Sequence, residues 1–273
     1  DKGKCYWVKV YDIPEGGRAA KGRAIVNLIG CEPDEKVSAF ISVKEFNDDH
    51  FVVMATEKGI VKKTKLSAYS NPRKKGIYAV EIRDGDKLIE ARVSTGDNDI
   101  LLGTRNGKSI RFSEEQIRPS GRKTMGVKGI TLSSEDDRLV GMLLIKREGT
   151  TVLVATEKGF GKRTEISQYR AQKRGGKGVL TMKTTDKVGK MVTIKEVVDK
   201  DDLMIITNQG VLIRLPVAQI RSIGRATQGV KLIKLGEGTL VSSITRIMSE
   251  EEGDENNNTC LLYTSDAADE WRS

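Results

Sequence analysis

Cysteine, histidine and aromatic side chains are scarce in this sequence. Its 273 residues hold 3 cysteines, 1 histidine and 5% aromatics. Cys5, Cys31 and Cys260 are odd in number and form no CxxC pair. That excludes a disulfide scaffold or a thiolate zinc site and suits a reducing, cytoplasmic compartment. One histidine cannot supply a catalytic triad, a metal centre and a proton shuttle, so most hydrolase and metalloenzyme classes fall. His50, in Asp-Asp-His, reads as a solvated loop residue. No run approaches the roughly 18 apolar residues of a membrane-spanning helix, and no secretory signal is visible. The phosphate-loop pattern fails before Gly107-Lys108-Ser109 because Leu102 stands where glycine is required, and Gly159-Phe-Gly161 fails the dinucleotide pattern at Thr164. No carboxylate pair recurs at strand ends, so no catalytic residue, metal site or cofactor is assigned. Asp1 is not an initiator methionine, and the chain reads as a fragment.

Charge, by contrast, is plentiful and uneven. The whole chain carries +9, but from Ser249 onward eight acidic residues face Arg272 alone. The preceding 248 residues therefore hold 46 bases against 30 acids, a net of +16. A basic body with an acidic tail points to a polyanionic partner. The last stretch, Cys260 to Glu270, resembles the in-frame translation of a sequencing adapter. Residues 260–273 are accordingly read as non-native, with 249–259 as an acidic disordered tail.

The dominant pattern is a repeat near 50 residues. An apolar run ending in Thr and, three residues on, Gly recurs as Val52-Val-Met-Ala-Thr-Glu-Lys-Gly59, Ile100-Leu-Leu-Gly-Thr-Arg-Asn-Gly107, Val152-Leu-Val-Ala-Thr-Glu-Lys-Gly159 and Met204-Ile-Ile-Thr-Asn-Gln-Gly210. A second glycine follows each, at Gly76, Gly126, Gly178 and Gly229, and Gly3 with Gly22 marks a fifth, truncated copy. Each copy reads as a buried strand, a Gly-ended hairpin, and a second strand bearing a base (Lys63, Arg111, Arg163 or Arg214). A basic loop follows, then a third strand such as Val179-Leu-Thr-Met-Lys183 and a last strand such as Met191-Val-Thr-Ile-Lys195. Apolar spacing of 3.6 is absent. The expectation is an all-β, propeller-like array with repeats at about 1–48 (partial), 49–97, 98–149, 150–199 and 200–248.

Basic charge recurs in the long loop of every copy: Arg18, Lys21 and Arg23; Arg73, Lys74 and Lys75; Arg122, Lys123 and Lys128; Lys173, Arg174 and Lys177; Arg221, Arg225 and Lys231. Equivalent loops of equivalent units should lie in register along a rim. Duplex DNA presents one negative charge per ~1.7 Å, so a basic belt suits backbone contacts and bending without base readout. The sharpest motif is Gln172-Lys173-Arg174-Gly175-Gly176-Lys177-Gly178, where glycines let cations and backbone amides approach phosphates closely.

These residues resemble the C-terminal domain of DNA gyrase A subunits. The carriers are Gln172–Gly178, similar to that family's Gln-Arg-Arg-Gly-Gly-Lys-Gly box; Lys9-Val-Tyr-Asp-Ile-Pro14 with Ala20-Lys-Gly-Arg-Ala-Ile-Val-Asn-Leu28; Gly159-Phe-Gly-Lys-Arg-Thr164; and Gly224-Arg-Ala-Thr-Gln-Gly-Val230. The resemblance covers nearly all of residues 1–248. It implies a β-pinwheel, six-bladed in the family, that wraps duplex DNA so that the parent topoisomerase introduces negative supercoils. It also implies ATP and Mg bound elsewhere in the parent, and a gyrase B subunit and a second A subunit as partners beside DNA. The family's principal box lies in a first blade that would precede Asp1, and Lys173 stands here where the strict box has Arg. No tyrosine sits in the context of the family's cleavage nucleophile. Two alternatives stay open: the equivalent domain of topoisomerase IV, and a non-enzymatic propeller that binds proteins.

The acidic run Glu250–Glu255 beside a +16 body yields a first test. Deleting everything after Ser249 should tighten DNA binding at low salt, and the two isotherms should converge above roughly 0.3 M salt, where screening is short-ranged. Equal affinities at low salt would reduce the tail to a solubilising segment.

Overall fold

The computed structural model describes residues 1–16, 21–32, 34–146 and 149–247. Arg18, the acidic tail and the adapter-like terminus lie outside these residues. The described chain is all-β, with short 3-10 turns and no α-helix. The truncated first repeat contributes β1 (Lys4–Cys5). The second supplies β2 (Phe51–Thr56), β3 (Ile60–Lys65), β4 (Ile77–Tyr78) and β5 (Leu88–Ser94). The third supplies β6 (Asp99–Thr104), β7 (Lys108–Ser113), β8 (Val127–Lys128) and β9 (Leu139–Ile145). From the fourth come β10 (Thr151–Thr156), β11 (Phe160–Glu165), β12 (Val179–Leu180) and β13 (Met191–Val197). The fifth ends the array with β14 (Asp202–Thr207), β15 (Leu212–Pro216), β16 (Val230–Lys231) and β17 (Val241–Ile247).

The apolar runs form the strands the sequence predicts, and they form them at the centre of each sheet. β10, Thr-Val-Leu-Val-Ala-Thr, is buried along its whole length because partners flank it on both edges and other sheets cover both faces. Each hairpin strand pairs antiparallel with its neighbour, as Val152 with Thr164 and Val154 with Lys162. The last strand of the repeat pairs on the other edge, with a bulge at the end of the central strand.

The third strand departs from expectation twice. It is two residues long rather than five, and it does not join its own repeat. The sheet orders are β5-β2-β3-β8, β9-β6-β7-β12 and β13-β10-β11-β16, so every third strand completes the sheet of the repeat before it. β1 receives β4 in the same way. β15 closes a three-stranded sheet, β17-β14-β15. The sheets therefore straddle the repeat boundaries read from the glycines.

Two glycines explain how the chain crosses. At Gly107 (φ 84°) an added Cβ would run into the Met182 carbonyl oxygen, and at Gly178 (φ 69°) into that of Ser109. The hairpin turn and the crossing strand thus meet backbone to backbone, which only glycine permits at a positive φ. Apolar clusters fill the spaces between sheets. One gathers Val53 and Val61 with Ile100, Leu102, Ile110 and Phe112, and another joins Leu153 and Val197 to Leu203, Ile205 and Val217. The last strands pack on one another, β5 on β9 and β9 on β13. They take the inner side of the array and leave the crossing loops on the outer side.

Gly178 therefore carries both a conformational and a contact requirement, whereas Gly149 (φ 66°) has open space around its Cβ position. Gly149→Ala should cost about 1 kcal/mol, the left-handed backbone term alone. Gly178→Ala should cost at least twice as much in denaturant unfolding, and equal costs would contradict the backbone joint.

Candidate nucleic-acid interface

Most of the candidate bases sit on the segments between a second strand and the third strand that crosses to the neighbouring sheet, whereas Lys128 and Lys231 end the crossing strands β8 and β16 themselves. Lys21, Arg23, Arg73, Lys74, Lys75, Lys123, Lys128, Lys173, Lys177, Arg221 and Lys231 are exposed, whereas Arg122, Arg174 and Arg225 are half-buried. Because the crossing loop repeats with the fold, the exposed members recur at equivalent places from one repeat to the next.

The loop Gln172–Gly178 is held by the preceding repeat through Gln172, Arg174, Gly175 and Gly176. The Gln172 amide donates to the Arg111 carbonyl at 2.8 Å, and the Gly175 amide donates to the Gly129 carbonyl at 2.7 Å. Thr131 returns two bonds, from its amide to the Gly176 carbonyl at 2.9 Å and from its hydroxyl to the Gly175 carbonyl at 2.6 Å. Gly176 lies over Ile110, whose Cδ1 would stand 3.4 Å from an added Cβ. The glycines of the box-like motif thus serve close seating on the neighbour as well as local freedom.

The three cations of that loop do not converge as one set. Arg174 turns inward: its amide donates to Gln116 Oε1 at 2.9 Å, and its Nε and Nη1 donate to the carbonyls of Gln116 and Lys128 at 3.0 and 3.1 Å. Arg225 repeats this one unit on, donating from Nη1 to the Leu180 carbonyl at 2.9 Å and lying over the Tyr169 ring. A planar fork with five donors suits such carbonyl pairs. Lys173 and Lys177 remain exposed. Strand exchange supplies a further cation, because β8 brings Lys128 beside the Arg174 loop although 46 residues separate the two. On β16 the Lys231 ammonium lies 5.8 Å from the centre of the Phe160 ring.

The second-strand bases have a different task. Arg111 donates from Nε to Asp99 at 2.7 Å and from Nη1 to the carbonyls of Ile166 and Tyr169, both at 3.2 Å. Arg163 donates from Nε to the Ile220 carbonyl at 2.8 Å and pairs with Asp199. Lys63 forms a buried pair with Glu114 at 2.8 Å, and Arg214 bonds Asp202 at 2.7 Å. Arg111 and Arg163 fasten the following repeat and are fittings rather than surface charge, whereas Arg214 is exposed and pairs within its own repeat. His50 Nδ1 lies 2.8 Å from Asn47 Oδ1 in a loop, as a local contact.

Sequence reasoning assigned nothing to Lys62 and Lys162. Both are almost wholly buried, at 1% and 0% exposure. Burial, reinforced by the Arg122 charge and opposed by Glu81, pushes the Lys62 ammonium down to about 8. Burial and then Arg225 push Lys162 down to about 8. Their signal was present in the hairpin register, where Lys62 stands opposite Met54 and Lys162 opposite Val154, positions that face the interior.

Comparison with known proteins agrees with this geometry. The family model described as the DNA gyrase C-terminal domain, beta-propeller, matches residues 1–44, 50–95, 98–146, 150–197 and 201–247. The chain belongs to the DNA gyrase C-terminal β-propeller family. Among gyrase A subunits, that of Staphylococcus epidermidis (strain ATCC 12228) is 45% identical over 254 residues, covering 92% of this chain and 28% of the relative. The subunit of Staphylococcus aureus (strain NCTC 8325) is 42% identical over 276 residues, covering 100% of this chain and 31% of the relative. The chain thus spans less than a third of the length of these gyrase subunits. A crystal structure of the C-terminal domain of DNA topoisomerase IV superposes with a TM-score of 0.84 at 25% identity, covering 91% of this chain and 77% of that one. A structure of a DNA gyrase A C-terminal domain superposes at 0.78 and 22% identity, covering 90% and 80%, and supports the fold.

The inward and outward bases of this gyrase-family propeller should separate in stability measurements. Arg174→Ala removes hydrogen bonds to two carbonyls of the preceding repeat, those of Gln116 and Lys128, and should lower stability by about 1–3 kcal/mol. Lys173→Ala, an exposed change, should stay within about 0.5 kcal/mol. Equal losses in urea unfolding would refute the distinction.

Proposed function

We propose that this chain is the DNA-binding and DNA-wrapping domain of a DNA gyrase A subunit. In this reading duplex DNA runs along the outer, basic side of the array. Its bending directs the ATP-dependent negative supercoiling performed by the parent type II topoisomerase. The observation that carries the proposal is the repetition, sheet after sheet, of an exposed lysine or arginine on a crossing loop seated firmly on its neighbour. Outward cations repeated from one unit to the next suit a partner with evenly spaced phosphates and no need for base readout. Membership of the gyrase C-terminal family supports the same assignment.

The remaining components belong to the parent enzyme. The gyrase B subunit and a second A subunit are its proposed partners, ATP and Mg its proposed ligands outside this segment, and the bacterial cytoplasm and nucleoid its proposed location. A second reading, the equivalent domain of topoisomerase IV, is favoured by the superposition at a TM-score of 0.84. The 42–45% identity to gyrase A subunits favours gyrase. Supercoiling of relaxed plasmid by the full-length protein with its B subunit, against decatenation alone, separates the two.

The decisive measurement on the domain itself is the salt dependence of DNA binding. Each phosphate contact contributes a slope of about −0.9 in log K against log [salt]. The double variant Lys173→Ala/Lys177→Ala should flatten that slope by roughly 2 and weaken binding evenly across sequences. Lys187→Ala/Lys234→Ala, exposed bases outside the crossing loops, should leave it nearly unchanged. Equal shifts from both pairs would replace a defined path by a diffuse positive field.

A further inference from the structure

The crossing loops are seated in two different ways. Loop 172–178 closes over the apolar side chain of Ile110, with Gly176 against it. Loops 120–126 and 221–229 close instead over a buried lysine, placed like Ile110 at the third residue after its hairpin glycine. The Lys162 ammonium donates to the Gly224 carbonyl at 2.7 Å, to the Arg225 carbonyl, and to Thr227 Oγ1 at 3.1 Å. The Lys62 ammonium donates to the Ala79 carbonyl at 2.8 Å and to the Arg122 carbonyl.

The sequences of the loops match their seats. Over the lysines they read Gly121-Arg122-Lys123-Thr124 and Gly224-Arg225-Ala226-Thr227, and at the equivalent positions over Ile110 they read Lys173-Arg174-Gly175-Gly176. The threonine in each lysine-seated loop also bonds back to the loop's first glycine, Thr124 to the Gly121 carbonyl and Thr227 to the Gly224 carbonyl, both at 2.9 Å. An ammonium has three donors and no acceptor, so it fits the three inward oxygens around Lys162 and the two around Lys62. Among the described residues neither lysine forms a salt bridge, and a buried charge held only by neutral oxygens is costly unless something is gained from it.

We propose that Lys62 and Lys162 are positioning residues for DNA capture, each ammonium holding one basic loop in the shape in which its outward cations meet the phosphate backbone. This rests on the DNA-wrapping reading above. Neither lysine touches DNA. Without the ammonium the loop carbonyls lose their donor, the loop samples other conformations, and binding must then order it again.

The test uses the full 273-residue chain and two readouts, one of which needs no DNA. In Lys162→Met, amide hydrogen exchange in residues 221–229 should rise at least tenfold while that of β14 stays within twofold. Affinity for a duplex of random sequence should fall about fivefold to tenfold, with the salt slope within half a unit of wild type, because the same phosphates are contacted once the loop is ordered. Lys62→Met should do the same for residues 120–126. Thr227→Val, which removes one oxygen from the cup and leaves the lysine in place, should shift both readouts in the same direction by a smaller factor. It also keeps the test open should Lys162→Met fail to fold.

Unchanged exchange in residues 221–229 overturns the clamp. Faster exchange with unchanged affinity overturns the role in DNA capture, and so does an affinity loss accompanied by a slope change as large as that of Lys173→Ala/Lys177→Ala. Failure of the wild-type chain to bind DNA would instead sink the DNA-wrapping reading, while the exchange arm still reports on the clamp.

Discussion

The carbonyl of a hairpin glycine is the point on which the array depends. The Gly107 oxygen accepts from the amides of Thr181 and Met182 at 2.7 and 3.0 Å, and the Gly59 oxygen accepts from Gly129 and Ile130 at 2.8 and 3.4 Å. Gly3 does the same for Ala79 and Val80, and Gly159 for Leu232 and Ile233. Each of these four turns is thereby also the socket for the next repeat. The local fold of one unit and its attachment to the following unit cannot vary independently, because one peptide group serves both.

From that joint follow the other constraints. The crossing strand must run close over the turn, which demands the second glycine. The loop ahead of it must lie across the neighbour, which demands a seat: Ile110 under one loop, Lys62 and Lys162 under two others. The arginines of the loops divide accordingly, with guanidinium groups such as those of Arg174 and Arg225 turned to carbonyls of the adjacent sheet and lysines left outward. A surface that reads in sequence as one run of positive charge is in fact two layers, an inner one that fastens sheets and an outer one available to phosphate.

How far sequence reasoning reaches can be traced residue by residue. The glycine pairs and the apolar runs before them carry the hairpins plainly, since φ > 0 and continuous burial leave marks in composition. The exchange of the third strand leaves no mark. A two-residue ladder such as Val179–Leu180 has no periodicity, and nothing in it says whose sheet it completes. Lys173 and Arg174 are adjacent and alike in charge, and only their partners in space tell them apart. Lys62 and Lys162 were hidden by a reasonable prior that lysine faces water, which the hairpin register contradicts.

The brevity of the exchanged strand has a mechanical corollary. Within a sheet, five or six residue pairs join neighbouring long strands, whereas β8, β12 and β16 are each joined by two. Compliance is therefore concentrated at the seams, and the sheets act as stiff plates on soft hinges. Smoothly bending a duplex of 20–30 base pairs costs on the order of 1–6 kcal/mol, comparable with a few net hydrogen bonds at such seams. Under the proposed function, curvature becomes a quantity shared between two elastic bodies, with the pitch of the protein and the bend of the DNA relaxing against each other.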